Sequence, residues 1–303
     1  MTDWLARIDV DGNFLAAYRA KRAAVVAVSA AYVAFWAWLA FVIGFAAVFV
    51  LVNSGATSSN NWNAPSGVTP ALAIGALCAV VAGAVAAGRA ILTWRHGAER
   101  AMEAVSARPA GEDDRRLIDI IAELCLAGGQ KVPAVYVIES DVPNALSAPG
   151  RRPCIAVTTG LCESLSRAEL AAVIGHELTH LRYRDGILRL FVSVLVRPMD
   201  DESETLERSG RGSLLFFPAL VCWGLASLLG RYASTGQEEL TDLNSLELTR
   251  DPSALADALD KMRRGRGSLG EGEATVAQLL TVPPAETDHE LGRRIAALRE
   301  LTA

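Results

Sequence analysis

Two apolar runs in the first third of the chain carry no charged residue. The first, residues 23–52, is apolar almost throughout. About 30 helical residues would extend roughly 45 Å, more than the ~30 Å hydrocarbon core of a bilayer. The run is too long for the core of a signal peptide and is not followed by a cleavage-like boundary, so it predicts a membrane span. The second run, residues 70–88, ends at Arg89, Trp94 and Arg95. Between the runs lies a polar but uncharged loop, NSGATSSNNWNAPSGVT. The pattern predicts a transmembrane hairpin over residues 23–95, preceded by a short segment 1–22 and followed by one domain over residues 96–303. Arg7, Arg19, Lys21 and Arg22 precede the first run, and Arg89, Arg95 and Arg100 follow the second. Basic residues beside a span resist translocation, so both ends of the hairpin are expected in the cytoplasm.

Beyond the hairpin the periodicities shorten. In RRLIDIIAELCLA, Leu117, Ile118, Ile121 and Leu124 fall on one helical stripe, and Gly128-Gly129 ends it. AVYVIES (residues 134–140) and CIAVTT (residues 154–159) read as strands. Ser166 and Glu169 form a capping-box pattern that opens the next helix. Residues 187–196 are apolar but short and interrupted by Arg189, and residues 213–230 are uncharged but contain Pro218. Asp251-Pro252 caps another helix, RRGRGSLGEGE is a Gly-rich charged loop, and Leu291, Ile295 and Leu298 mark a final amphipathic helix. No internal repeat is visible.

Composition agrees with a membrane component: 51% of the 303 residues are hydrophobic and only 21% charged. The net charge of −5 leaves no basic footprint, which excludes nucleic acid as the expected partner. The five cysteines form no Cys-x-x-Cys pair, so neither a disulfide framework nor a thiolate metal site is indicated, and a reducing compartment fits.

The chemistry concentrates in GHELTHLRYRD, residues 175–185. The chain has four histidines, and two of them, His176 and His180, stand one helical turn apart. On an α-helix their imidazoles project from one face and can bind one cation, while Glu177 sits beside that position rather than on it. This arrangement suits a zinc-activated water with Glu177 as the general base. The bland alternative is an amphipathic helix with histidines at this spacing by chance, which so few histidines make improbable.

A catalytic zinc needs a third protein ligand and an open position. The metzincin pattern fails, because Tyr183 and Gly186 stand where it requires Gly and His. QEELTDLNSLELTRDP offers Glu238, Glu239 and Glu247. Glu238 is chosen because Asp242, one turn on, shares its face and can orient a histidine ligand. Considered alone, such a cluster also reads as a solvated helix N-terminus favoured by the helix dipole.

From Asp114 to the C-terminus the chain resembles the HtpX family of membrane-bound zinc metallopeptidases, related to the CAAX prenyl endopeptidases. PNALSAPG, IAVTTGL and HELTHLRYRD resemble the family's Asn-Ala segment, the strand before its active-site helix and its zinc motif. Glu238 and Asp242 match its Glu-x-x-x-Asp motif, which supplies the third ligand and a supporting carboxylate. The resemblance implies an α+β fold class: a mainly helical integral-membrane protein with a zincin-like metallopeptidase domain containing a small sheet. It implies one Zn2+ per chain, and protein or peptide substrates that are membrane-proximal or misfolded. It also implies a multi-pass location in the cell membrane with the active site facing the cytoplasm. The strand around Ile155 and Val157 is expected to pair with an extended peptide, with Asn144 holding the peptide backbone. Glu239 stands where the family has an aromatic residue. TDHELGRR places His289, the candidate oxyanion-stabilising histidine, one residue closer to Arg294 than the family does.

Because His180 and Glu238 would bind one metal, the chain between them must cross the bilayer an even number of times. Residues 187–230 are therefore expected to form a membrane-embedded apolar hairpin, whether or not it crosses. The expected function is an integral-membrane zinc endopeptidase. A catalytically silent membrane scaffold or receptor retaining the zinc-binding domain is the alternative, and the intact Glu177 argues against it.

Overall fold

The structure, a computed structural model, describes residues 13–54, 68–183, 186–191, 237–270 and 272–302. The chain divides into two compact units, Arg22–Leu92 and a larger one comprising Met1–Lys21 with Thr93–Ala303. Helix α1 spans Asn13–Ser54 and α2 spans Val68–Ala104.

In the smaller unit α1 and α2 run antiparallel and touch through small residues. A Cβ added to Gly44 would lie 2.9 Å from the Cys78 sulfur, and one added to Gly75 would lie 3.0 Å from the Phe41 carbonyl oxygen. The glycines thus permit backbone approach closer than any side chain would allow. Outward, this unit exposes large apolar side chains, among them Trp38, Val50, Leu51, Val80 and Val85. Both helices are long and apolar enough to cross a membrane, with an 18-residue window of mean hydropathy 2.5 within Ser29–Val52 and 2.2 within Val68–Ala104.

The larger unit is built on a four-stranded mixed sheet. Strands β1 (Arg108–Pro109), β2 (Ala134–Ile138), β3 (Ala145–Ala148) and β4 (Cys154–Thr158) lie in the order β1-β2-β4-β3. β2 pairs parallel with β4, and the other two pairings are antiparallel. β4 is apolar at nearly every position because helices cover both of its faces. Ile155 and Val157 face one core with α3 (Arg115–Ala127) and α5 (Arg167–Tyr183), whereas Cys154 and Ala156 face another with Ala101 and Met102 of α2 and Val105 just beyond it. The α3 stripe is rotated slightly from expectation: Leu117, Ile120, Ile121 and Cys125 are buried, while Ile118 is only half-buried.

The expected strands at 134–140 and 154–159 are present, each ending slightly earlier. β3 has no counterpart in the sequence reading, because ALSA is short and lacks the branched or aromatic residues that signal a strand. A short helix α4 (Thr159–Ser164) follows β4, and α6 (Gly186–Phe191) follows α5. The capping box opening α5 forms as expected, with Ser166 N–H donating to Glu169 at 2.7 Å and Glu169 N–H to Ser166 Oγ at 3.3 Å.

Helices α7 (Gln237–Thr249), α8 (Pro252–Arg264), α9 (Glu273–Val276) and α10 (Asp288–Glu300) complete the unit. Asp251 caps α8 by accepting from Ala254 N–H at 3.0 Å, and Leu291, Ile295 and Leu298 of α10 enter the main core. The architecture is mainly helical with a small mixed sheet. Most of the apolar pair expected at 187–196 and 213–230 lies outside the described residues, which reach Phe191 and resume at Gln237.

Candidate metal centre

Three elements converge on one point. Helix α5 carries His176, Glu177 and His180, α7 carries Glu238 and Asp242, and α10 carries Arg294. The close approach of α5 and α7 depends on Gly175: a Cβ there would lie 2.8 Å from Thr249 Cγ2. Glycine immediately before the first histidine therefore brings the acidic face of α7 against the imidazoles.

The Nε2 atoms of His176 and His180 are 3.0 Å apart, and Glu238 Oε2 lies 3.3 Å from the first and 3.5 Å from the second. Bonds of about 2.0–2.1 Å in a tetrahedral zinc site place ligand atoms roughly 3.3 Å from one another, so this triangle has the right dimensions. Asp242 Oδ1 sits 2.8 Å from His176 Nδ1. A carboxylate on Nδ1 holds the proton there and leaves Nε2 as a bare lone pair. His176 and Glu177 are wholly buried, and His180 is 5% exposed. Lone pairs turned toward one another in such a place repel unless a cation lies among them.

The surrounding charges favour a positive ion. Burial disfavours ionisation of Glu238, but the Arg189 guanidinium, 2.5 Å from Oε1, outweighs it, and the carboxyl is held well below its ordinary range. Burial likewise opposes the Asp242 charge, and Arg294 overcomes it through a two-pronged pair, Nε to Oδ2 at 2.7 Å and Nη2 to Oδ1 at 2.8 Å. Burial pushes the His176 imidazole toward neutrality, yet Asp242 and Glu238 raise its affinity for positive charge.

His176, His180 and Glu238 are thus brought together, with Asp242 behind them and Glu177 beside them. Glu239 turns outward toward Arg293 at 3.6 Å, and Glu247 pairs with Arg182 at 3.3 Å. Three expectations are corrected. β4 is paired by β2 on one side and β3 on the other, and Ile155 and Val157 are wholly buried, so that strand has no free edge for a peptide. Asn144 holds the chain's own backbone: its Nδ2 donates to Val282 O at 2.9 Å, and its Oδ1 accepts from Ala145 and Val282 N–H. His289 is exposed in the first turn of α10, and the residue of that helix that reaches the cluster is Arg294.

Two contributors were not read as site residues. Arg189 was visible only as a charge interrupting an apolar run, a signal that in retrospect marks a buried ion pair. Thr281, whose hydroxyl lies 2.6 Å from Glu177 Oε1, comes from an irregular segment with no periodicity to betray it.

Comparison with known proteins shows the family. The model of peptidase family M48 matches residues 112–302. A protease HtpX homolog of Acidiphilium cryptum is 35% identical over 257 residues, covering 75% of this chain and 88% of that protein. Homologs of the same name from Thermoanaerobacter pseudethanolicus (32% over 185 residues) and Caldanaerobacter subterraneus (30% over 232) are covered over 62% and 77% of their own lengths. With its paired histidines, nearby glutamate and family match, the chain belongs to peptidase family M48 and is an HtpX-type metallopeptidase.

Proposed function

We propose that the protein is an integral-membrane zinc endopeptidase that hydrolyses peptide bonds of membrane-proximal or misfolded proteins from the cytoplasmic side. The observation that carries this reading is the convergence of His176 Nε2, His180 Nε2 and Glu238 Oε2 within 3.5 Å beside a buried glutamate. These three residues would hold one zinc ion per chain, which when bound supplies Lewis acidity toward a water molecule and the scissile carbonyl. Asp242 fixes the tautomer and orientation of His176, and Arg294 fixes Asp242. Glu177 takes the proton of the attacking water and delivers it to the leaving amine. Its Oε2 is buried without a hydrogen-bond partner among the described residues, so this oxygen is the one left for proton traffic.

Membrane residence is supported by the smaller unit, whose two long apolar helices expose side chains such as Trp38, Leu51 and Val80. In this reading residues 23–95 are the transmembrane hairpin and 96–303 the zinc domain, and Arg89, Arg95 and Arg100 beside the second run support a cytoplasmic start for that domain. Glu177 argues against a silent scaffold, which has no need of a buried acid beside the ligands.

Purified protein in detergent, assayed on an unstructured polypeptide, tests the reading. Glu177→Gln is expected to retain zinc and to lose cleavage by roughly 10²–10⁴-fold. Cleavage at the wild-type rate by this variant removes Glu177 from the chemistry.

A further inference from the structure

The geometry points to Thr281 as the positioning residue for Glu177, holding one carboxylate oxygen so that the other faces the reaction; this role rests on the endopeptidase reading above. The Thr281 hydroxyl is 2.6 Å from Glu177 Oε1 and 3.0 Å from the Ala145 carbonyl oxygen. A hydroxyl has one proton to give. Ala145 O already accepts the Thr281 backbone N–H at 2.8 Å, so the hydroxyl proton is assigned to the carboxylate, at a length proper to an O–H···O⁻ bond. Both side chains are buried, Thr281 to 1% exposure and Glu177 completely.

Thr281 is itself held on three sides. Leu280 bridges to Leu146 on the outer edge of β3, which together with the Thr281 N–H bond fixes the segment on the sheet. Asn144 grips the next residue, Val282, through both its backbone N–H and its carbonyl, at 3.3 and 2.9 Å. Arg294 Nη1 donates to the Thr281 carbonyl at 3.3 Å, while its other nitrogens hold Asp242. Arg294 and its partners thus join the backbone that positions Thr281 to the carboxylate that orients His176. Glu177 has three side-chain torsions; among the described residues Thr281 is its one side-chain hydrogen-bond partner, and its Oε2 is unbonded. Without the Thr281 hydroxyl nothing described would select the orientation that turns Oε2 to the reaction.

The test compares Thr281→Val and Thr281→Ala, which both remove the hydroxyl, with Thr281→Ser, which keeps it, and runs Glu177→Gln in parallel. The readouts are kcat and KM on an unstructured polypeptide, bound zinc per chain and thermal midpoint. The hydroxyl-free variants are expected to lose roughly 10- to 100-fold in kcat, as for loss of a hydrogen bond to a charged group, with KM and zinc content unchanged. Thr281→Ser is expected to recover to within about threefold of wild type. Either hydroxyl-free variant retaining wild-type kcat beside an inactive Glu177→Gln overturns the role of Thr281 alone. A loss accompanied by loss of zinc, or one that Thr281→Ser shares in full, also overturns it. Full cleavage by Glu177→Gln overturns the general-base reading and the Thr281 role with it.

Discussion

The two units of this chain solve opposite problems. The Arg22–Leu92 unit displays Trp38, Leu51 and Val80 outward and draws its helices together through Gly44 and Gly75, whereas the larger unit packs most of its apolar residues into cores and buries charge. In the first, character comes from length and the absence of charge, properties of each helix alone. In the second, character comes from polar groups that are tolerable only because they meet: Asp242 and Arg294 are each 2% exposed and would be costly apart. A change should therefore act by lipid compatibility in one unit and by broken pairing in the other.

The largest effect is expected from breaking the pairing. Arg294→Met leaves Asp242 buried without its partner, and should cost about 3–5 kcal/mol of stability, read from denaturant unfolding of the larger unit. Stability within about 1 kcal/mol of wild type would show that Asp242 finds compensation elsewhere. Next is Val80→Asp, at a position 69% exposed. On a water-facing surface it should cost under about 0.5 kcal/mol. In a bilayer the apparent insertion cost of Asp near the centre of a span is about 2.5–3.5 kcal/mol. A membrane-insertion assay distinguishes the two, and the bilayer value is the expected outcome. Smallest is Gly75→Leu, which presses a side chain toward the Phe41 carbonyl and should destabilise the hairpin by about 1–3 kcal/mol while leaving bound zinc unchanged. Helix separation measured by cysteine cross-linking across the Gly44–Gly75 contact checks it.

Legibility in the sequence divides along the same line. The long apolar helices, the capping box at Ser166 and Glu169 and the cap at Asp251 were readable because each depends on a few neighbouring residues. His176 and His180 were readable because one helical turn suffices to join them, and Glu238 because Asp242 shares its face. Arg189, Thr281 and the true role of Asn144 were not, since each acts on a group brought near only by folding: Asn144 and Val282 are 138 positions apart, and Thr281 and Glu177 are 104 apart. The expectation for Ile155 and Val157 failed because ALSA did not announce itself as the strand that takes the outer edge. His289 was chosen because the resembled family has a histidine ahead of the arginine on this helix, but the first turn of α10 leaves it exposed, while Arg294, five residues further along, turns inward.

The account stands most directly on the metal content of two neighbouring variants. Glu238 Oε2 lies within 3.5 Å of both imidazoles, whereas the Glu239 side chain is 45% exposed and points toward Arg293. Zinc measured per folded chain should be one for the wild type and for Glu239→Ala, and near zero for Glu238→Ala. Full zinc in Glu238→Ala, or its loss in Glu239→Ala, would contradict the account.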